Sequence, residues 1–227
     1  MINIGLLLEI LEHSKDNNVF SNPTQKTIEV VQTIGIGTFD EKGLTLSREE
    51  RMKLAMFAVS RGLDFENVIA QLTWKDFEGF VTEVMKEHSF KCVESLRRVG
   101  NTLIEGMEID VVGVRSSTII TIDAKMWGIR KGKTTALKNA AEKQMKRADE
   151  LSRNLSILYR KMPRLASQEY KVYPMLVTWL VEEVLLHEGI PIVPIFKLNS
   201  FLLEFERYQD LMKPCDGIFE KIERRED

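Results

Sequence analysis

The sequence contains little of the residue types that build disulfide frameworks and zinc sites. Its 227 residues include two cysteines and three histidines. Cys92 and Cys215 are too few for a disulfide framework or a cysteine-rich zinc site, so we expect a reducing compartment and a cytoplasmic location. The histidines His13, His88 and His187 are scattered, with no partner at the spacing of metal ligands.

Long apolar runs are also absent from the sequence. No segment approaches the roughly 18 to 20 apolar residues that a membrane-spanning helix requires. Residues 1–11 are apolar, but they lack a basic start and include Glu9, which favours a helix over a secretory signal. With 44% hydrophobic and 29% charged residues, the composition differs from that of a disordered chain or a membrane bundle. We therefore expect no membrane partner.

The formal net charge of −2 conceals an uneven distribution of charge. Residues 125–164 contain twelve Lys and Arg against three Asp and Glu, a net charge of +9, so the rest of the chain carries −11. A basic stretch of this kind indicates a binding surface for a polyanion such as nucleic acid. A solvated helix face that pairs with the acidic remainder is the alternative.

Residues 1–72 are predicted to be mostly helical. Ser47 and Glu50 have the spacing of a capping box ahead of an apolar helix, and Gly62 ends that helix before another that Asp64 can cap. Two helices joined by a tight glycine turn could form a helix-turn-helix that reads DNA, although most such pairs simply pack against each other. We treat 1–72 as a helical N-terminal region and 73–227 as a second domain.

From residue 73 onward, strand patterns alternate with helices. Thr73 and Asp76 form a second capping box at the start of an apolar helix. Three strands, a long basic helix and two further strands are predicted to follow, at residues 90–96, 108–114, 118–124, 135–160, 172–179 and 190–196. Three consecutive strands and a crossover helix predict an α/β fold with a mixed central sheet flanked by helices.

The second and third of these strands form a predicted hairpin. If residues 116–117 occupy its turn, counting back places Asp110 opposite Asp123 and Glu108 opposite Lys125. Residues that oppose each other in an antiparallel pair share one face of the sheet. The three acids and the lysine are therefore expected on the same face of the hairpin.

Two directly opposed aspartates destabilise a strand pair unless their charge is compensated. A divalent cation provides that compensation, because carboxylate oxygens suit Mg²⁺ or Mn²⁺. Lys125, two residues beyond Asp123, can hold an attacking water and counter the charge of a phosphodiester. An exposed strand in which Asp123 and Lys125 are merely solvated or ion-paired is the alternative.

The segments Gly106–Asp110 and Ile122–Lys125 resemble the paired motif of the PD-(D/E)XK nucleases, the restriction-endonuclease-like superfamily. The preceding Trp74–Glu78 resembles the helix that opens the core of Mrr-like and archaeal Holliday-junction-resolvase-like members. The resemblance covers residues 73–200. It implies a restriction-endonuclease-like core of order αβββαβ, with the N-terminal helical region outside it.

The same resemblance implies a site and an activity. The residues it assigns to catalysis are Asp110, Asp123, Lys125 and Glu78, and Glu83 is a second choice in place of Glu78. Asp110, Asp123 and Glu78, together with the main-chain carbonyl of Ala124, would bind Mg²⁺ or Mn²⁺. The implied function is that of a metal-dependent endonuclease that hydrolyses DNA phosphodiester bonds in repair, recombination or restriction.

The basic segment supplies candidate contacts to DNA. They are Arg130, Lys131, Lys133, Lys138, Gln144, Lys146 and Arg147. Gln144 also matches a glutamine that many members of the superfamily place on this helix. A homodimer would provide two sites for the two strands of a duplex. Two other interpretations stay open: a catalytically inactive DNA-binding protein on the same fold, and a scaffold whose basic helix binds an acidic protein.

Overall fold

The computed structural model describes residues 4–100, 106–128 and 131–221. The chain forms two compact units, one ending at Phe80 and the other beginning at Val81. The division lies inside a continuous helix, Trp74–Glu87, rather than before it at residue 73. None of the helices in these described ranges is both long and apolar enough to cross a membrane.

The first unit consists of short helices and a small antiparallel sheet. Its helices are α1 (Ile4–His13), α2 (Gln25–Ile34), α3 (Arg48–Ser60), α4 (Phe65–Ile69) and the first part of α5 (Trp74–Glu87). Its strands are β1 (Val19–Phe20), β2 (Thr38–Asp40) and β3 (Gly43–Thr45), in the order β1–β3–β2. The sheet was not expected from the sequence, because strands of two or three residues are too short to show a period of two.

Both capping boxes expected from the sequence are present. The Ser47 hydroxyl accepts from the Glu50 N–H at 3.1 Å, and the Glu50 carboxylate accepts from the Ser47 N–H at 2.8 Å. Thr73 and Asp76 make the same reciprocal bonds at the start of α5, at 3.2 and 2.8 Å. Gly62 adopts a φ of +93° in the turn between α3 and α4. The two predicted helices, α3 and α4, and the glycine turn between them are therefore present. A contact of this pair with DNA stays a prediction.

The second unit is an α/β structure on a mixed sheet. Its helices are the rest of α5, α6 (Lys133–Arg153), α7 (Ser156–Lys161), α8 (Ile195–Leu203) and α9 (Phe205–Tyr208). Its strands are β4 (Lys91–Arg98), β5 (Met107–Arg115), β6 (Thr118–Lys125), β7 (Gln168–Thr178), β8 (Leu186–His187), β9 (Ile190–Pro194) and β10 (Cys215–Phe219). They lie in the order β4–β5–β6–β7–β9–β8, and β10 also pairs with β7. Pairing is antiparallel from β4 to β6 and parallel from β6 to β9.

Helices cover both faces of this sheet. Val112 belongs to a core cluster in which α6 and α7 pack on one face. On the other face, a side chain at Gly113 would collide with Met85 of α5, and Tyr173 packs edge-on against Phe205 of α9, with 5.3 Å between the ring centroids. The expected α/β fold, with a mixed central sheet flanked by helices, is confirmed.

Two parts of the second unit differ from the sequence-based expectation. The basic helix expected over residues 135–160 ends at Arg153, and Asn154, with a φ of −142°, separates it from α7. Strand β10 was not expected, because it contains Asp216 and Gly217, two residue types that are rare in strands. Close packing against α6 explains the glycine at position 217, because a Cβ atom there would lie 2.5 Å from the carbonyl oxygen of Ser152.

Candidate active site at the carboxyl ends of the parallel strands

The hairpin of β5 and β6 has the register expected from the sequence. Arg115 pairs with Thr118 across the turn, and the ladder continues in this register until one residue short of Asp110 and Asp123. These two aspartates are therefore the next opposed pair, at the point where the two strands separate. The predicted register is thus confirmed as far as Val111 and Ile122, one step before the two acids.

Asp110 lies where the ladders on both sides of β5 are interrupted. Toward β6, its Oδ2 accepts a hydrogen bond from the backbone N–H of Ala124 at 2.8 Å, in the place of a main-chain acceptor. Toward β4, the residue that would oppose Asp110 is Ser95, which the ladder skips and whose φ is +48°. A positive φ is unfavourable for a residue other than glycine, and such strain concentrates at functional sites.

Asp123 and Lys125 lie at the carboxyl end of β6. Lys125 is opposite Thr178 of β7, and Thr178 is opposite Pro194 of β9. Because the three strands are parallel, their carboxyl ends meet at one edge of the sheet. In open α/β sheets, ligands bind in the crevice outside this edge.

Both carboxylate oxygens of Asp123 contact cations. The ammonium group of Lys125 lies 2.7 Å from Oδ2, and Nη1 of Arg147 lies 2.9 Å from Oδ1. The Asp123 side chain is only 4% exposed, so water screens these ion pairs less than it screens pairs on the surface. Since Arg147 belongs to α6, the aspartate joins the end of β6 to this helix.

The environment of Asp110 opposes its ionisation. Burial raises the pKa of the Asp110 carboxyl group above its ordinary value, and the negative charge of Asp123 raises it further. The hydrogen bond from Ala124 and the positive charges of Lys125 and Arg147 act in the opposite direction. The negative charge of the two acids is thus met within the protein by the positive charges of Lys125 and Arg147.

A cleft of about 350 Å³ opens beside Asp123. It is lined by Asp123, Lys125 and Trp127 at the strand end and by Ala136, Asn139, Ala140, Lys143 and Arg147 on α6. Three cations face one carboxylate, so the cleft attracts an anion.

Lys143 and Asn139 were not among the sequence-based candidates. Their signal is the spacing of four residues between 139, 143 and 147, which places all three on one face of a helix.

The other candidate DNA contacts lie in different environments. Lys131, Lys138 and Lys146 are exposed, whereas Arg130 lies outside the described residues. Lys133 is engaged inside the protein, with Nζ 2.7 Å from Oε1 of Glu182 and 3.0 Å from the carbonyl oxygen of Trp127. Gln144 is fully buried, and its Nε2 donates no hydrogen bond within the described part of the chain. This burial argues against a direct contact between Gln144 and DNA.

The three candidate glutamates are found in three different settings. Glu78 lies on the part of α5 that belongs to the first unit and is 5% exposed; its assignment as a metal ligand stays a prediction. Glu83 forms an exposed ion pair with Lys86, with 2.6 Å between Oε1 and Nζ. Glu108 does not face Lys125, because the hairpin ladder has ended; it instead pairs with Arg97 of β4 at 2.6 Å.

The donor set at this site is partly that of a magnesium centre. Asp110 and Asp123 supply two hard carboxylates, and Mg²⁺ is commonly held by one or two carboxylates with water and substrate phosphate. Within residues 4–100, 106–128 and 131–221, no group of three or more His, Cys, Asp and Glu side chains is arranged to hold a metal ion. The binding of Mg²⁺ or Mn²⁺ by the two aspartates stays a prediction.

Comparison with known proteins does not assign the chain to a family. No family model matches it. A protein of Archaeoglobus fulgidus, described as an uncharacterized protein, is 27% identical over 137 residues, which cover 60% of this chain and 95% of that protein.

Two solved structures are similar to a larger part of the chain at low sequence identity. Protein VC1899 from Vibrio cholerae matches 92% of this chain and 51% of its own, with a TM-score of 0.39 and 12% identity. Can2 from Sulfobacillus thermosulfidooxidans, in complex with cyclic tetra-adenylate, matches 88% of this chain and 50% of its own, with a TM-score of 0.35 and 12% identity. The chain thus spans about half the length of each of these two solved structures.

Proposed function

We propose that this protein is a metal-dependent nuclease with a restriction-endonuclease-like core, and that it hydrolyses phosphodiester bonds of DNA. The observation that carries the proposal is the convergence of Asp110, Asp123 and Lys125 at the carboxyl edge of the sheet. Two opposed carboxylates and one ammonium group are the chemical groups needed to bind a divalent cation and to activate water beside it.

The cleft beside these groups suits a phosphodiester. Arg147 and Lys143 project from the same face of α6 into the cleft, where they can hold the anionic oxygens of a phosphate. Lys125 is 23% exposed on its side chain, so its ammonium group can reach both Asp123 and a substrate. Trp127 forms the wall next to Lys125, whose Nζ lies 5.6 Å from the ring centroid, and its ring can pack against a sugar or a base.

Within this proposal, each residue has a defined task. Asp110 and Asp123 would hold Mg²⁺ or Mn²⁺, with the main-chain carbonyl of Ala124 and with Glu78, the acid that the resemblance assigns. When bound, the cation would supply a Lewis acid to the phosphate. Lys125 orients the attacking water and counters the negative charge that develops on the phosphate in the transition state. Arg147 positions Asp123 and meets the phosphate.

A second candidate function is DNA binding without catalysis. It is favoured by the two ion pairs that already occupy both oxygens of Asp123, because a cation that binds this carboxylate must displace or share one of them. In that case Lys125 and Arg147 would serve as phosphate contacts, and Asp123 would only hold them in place. This candidate predicts salt-sensitive binding of DNA that neither Mg²⁺ nor Mn²⁺ converts into cleavage.

One experiment separates the two candidates. The wild-type protein and Asp123→Ala are incubated with linear, flapped and branched DNA, in Mg²⁺, in Mn²⁺ and in EDTA, and both cleavage and binding are measured. Metal-dependent cleavage by the wild type alone supports the nuclease. Binding without cleavage in either metal supports the second candidate, and the absence of both contradicts both proposals.

The oligomeric state belongs to the same proposal. A homodimer would place two active sites on the two strands of a duplex, since two-fold dimers are the common solution for symmetric substrates. Sedimentation of the protein with and without duplex DNA tests this expectation directly.

A further inference from the structure

A second cationic depression lies at the other end of the β5–β6 hairpin. A cavity of about 640 Å³ opens beside the hairpin turn. A neighbouring hollow of about 360 Å³ shares Lys91, Met162 and Arg164 with it. We call the two together the hairpin trough. It lies entirely within the second unit.

Four cations line the hairpin trough: Lys91, Arg115, Lys161 and Arg164. No aspartate or glutamate is among the described residues that line it. Within residues 4–100, 106–128 and 131–221, no ion pair neutralises Lys91, Lys161 or Arg164. Four positive charges brought together without a counter-charge repel one another, and an anionic ligand removes this repulsion.

The fold collects these charges from segments that are far apart in sequence. Lys91 begins β4 and Arg115 ends β5, while Lys161 ends α7 and Arg164 lies on the connection from α7 to β7. Chain connections usually vary freely on the surface. Convergence of cations from β4, β5 and the end of α7 with its following connection therefore distinguishes the trough from a single solvated helix face.

Two contacts orient the side chain of Arg115, which lines the trough. Its Nη1 donates a hydrogen bond to the carbonyl oxygen of His88 at 3.3 Å, and its guanidinium lies 4.6 Å from the ring centroid of Phe90. The remaining N–H groups of a guanidinium fixed in this way form a rigid fork that matches two oxygens of a phosphate. A prearranged arginine loses little side-chain entropy when it binds an anion.

The trough and the candidate active site lie at opposite ends of the hairpin. Arg115 lies five residues along β5 from Asp110, which corresponds to roughly 17 Å along the backbone at the rise of an antiparallel strand. Because residues an odd number apart on a strand point to opposite faces of the sheet, the two side chains do not share one surface. One small anion cannot contact both sites at this distance, whereas a polymer carries many phosphates.

We propose that the hairpin trough binds the phosphate backbone of a nucleic acid, at a contact separate from the candidate active site. The ligand chemistry is a phosphate group presented by a polymer, and a free phosphate or a nucleotide could present the same group. The proposal rests on the proposed function only in taking the polymer to be the substrate of the active site. It requires binding at the trough and does not require cleavage.

A matched pair of charge reversals tests the trough. The trough variant is Lys91→Glu/Arg164→Glu. The control is Lys197→Glu/Arg207→Glu, which reverses one exposed lysine and one exposed arginine of the same unit outside both sites. Because both variants change the net charge equally, the comparison cancels the general effect of charge. Binding of labelled duplex and single-stranded DNA is measured by anisotropy in EDTA at several salt concentrations.

We expect the trough variant to bind DNA at least about tenfold more weakly than the control. The slope of log affinity against log salt should fall by about two, one for each lost phosphate contact. Equal affinities for the trough variant and the control would overturn the proposal. Since EDTA prevents metal-dependent cleavage, this result stands whether or not the protein proves to be a nuclease.

Protection of lysines from acetylation shows whether the trough binds the phosphates of DNA or those of small anions. We expect DNA to protect Lys91 and Lys161, but not Lys197, from acetylation as read by mass spectrometry. Inorganic phosphate and mononucleotides serve as the competing probes. Protection by these small anions without protection by DNA would overturn the assignment of the trough to a polymer.

Discussion

The ammonium group of Lys125 lies 2.7 Å from Oδ2 of Asp123, two residues earlier on the same strand. Side chains two residues apart on a strand share a face, so this contact follows from the local backbone. It keeps the buried charge of Asp123 compensated when no divalent cation is present. It also holds the lysine at the carboxyl edge of the sheet, next to the cleft where we propose that the scissile phosphate binds.

Replacing Lys125 by alanine should reduce cleavage much more than binding. Loss of one group that stabilises transition-state charge lowers the rate by about a hundredfold or more, whereas Arg147 and Lys143 still hold the phosphate. Single-turnover cleavage in Mg²⁺ and DNA affinity in EDTA measure the two effects. Lys197→Ala, an exposed lysine outside both sites, is the control. A Lys125→Ala protein that cleaves as fast as this control would refute the role given to Lys125.

The hairpin could be predicted from the sequence because its signals are local. Alternation of apolar and polar residues fixes which side chains share a face, and a two-residue turn then fixes the register. Asp110 and Asp123 were placed beside each other on these grounds, and the ladder keeps the predicted register up to the preceding pair, Val111 and Ile122. The same reasoning failed for Glu108, because it assumes that the ladder continues past Val111 and Ile122, where it ends.

The remaining parts of the site depend on tertiary structure. The ion pair of Arg147 with Asp123 joins residues that are 24 positions apart, and only the packing of α6 on the sheet brings them together. The unusual φ of Ser95 likewise leaves no mark in the sequence. Strand β10 was missed because it is stabilised by pairing with β7 and by the close approach of α6, which override its poor strand propensity.

Substitutions of Glu78 and Glu83 test which glutamate of α5, if either, binds the metal ion. If Glu78 is a metal ligand, Glu78→Gln should raise the Mg²⁺ concentration needed for half-maximal cleavage by about tenfold or more, since even outer-shell groups cost this much in metal affinity. Glu83→Gln should have no effect, because Glu83 is engaged with Lys86 at an exposed position. A Mg²⁺ titration of the cleavage rate compares the two variants, and equal requirements would remove Glu78 from the proposed site.

Both cysteines should be unreactive in the folded protein. Burial raises the pKa of the Cys92 thiol to about 12 and that of the Cys215 thiol to about 11, from a reference value of 9.0. A raised pKa lowers the thiolate fraction at neutral pH, here by roughly a hundredfold or more, and only the thiolate is nucleophilic. We expect slow alkylation by iodoacetamide at pH 8 in the native protein and rapid alkylation in urea. Rapid alkylation of the native protein, or loss of activity on alkylation, would contradict this expectation.

Arg51 should make the largest single contribution to the stability of the first unit among its charged residues. It is fully buried, lies 3.3 Å from Asp76 and donates to the carbonyl oxygens of Leu11 and Gln71 at 2.9 and 2.6 Å, so it links α1, α3 and the start of α5. Burial lowers the pKa of the Arg51 guanidinium, and the charge of Asp76 counteracts this shift.

Arg51→Met removes this guanidinium and leaves Asp76 buried without its partner, which typically costs about 3–5 kcal/mol. Lys53→Met, an exposed position on the same helix, is the matched control, and changes there are usually within about 0.5 kcal/mol. Urea denaturation monitored by circular dichroism compares the two variants. The burial of an arginine is tolerated because four acceptors satisfy it, so equal stabilities for both variants would show that these contacts do not hold the unit together.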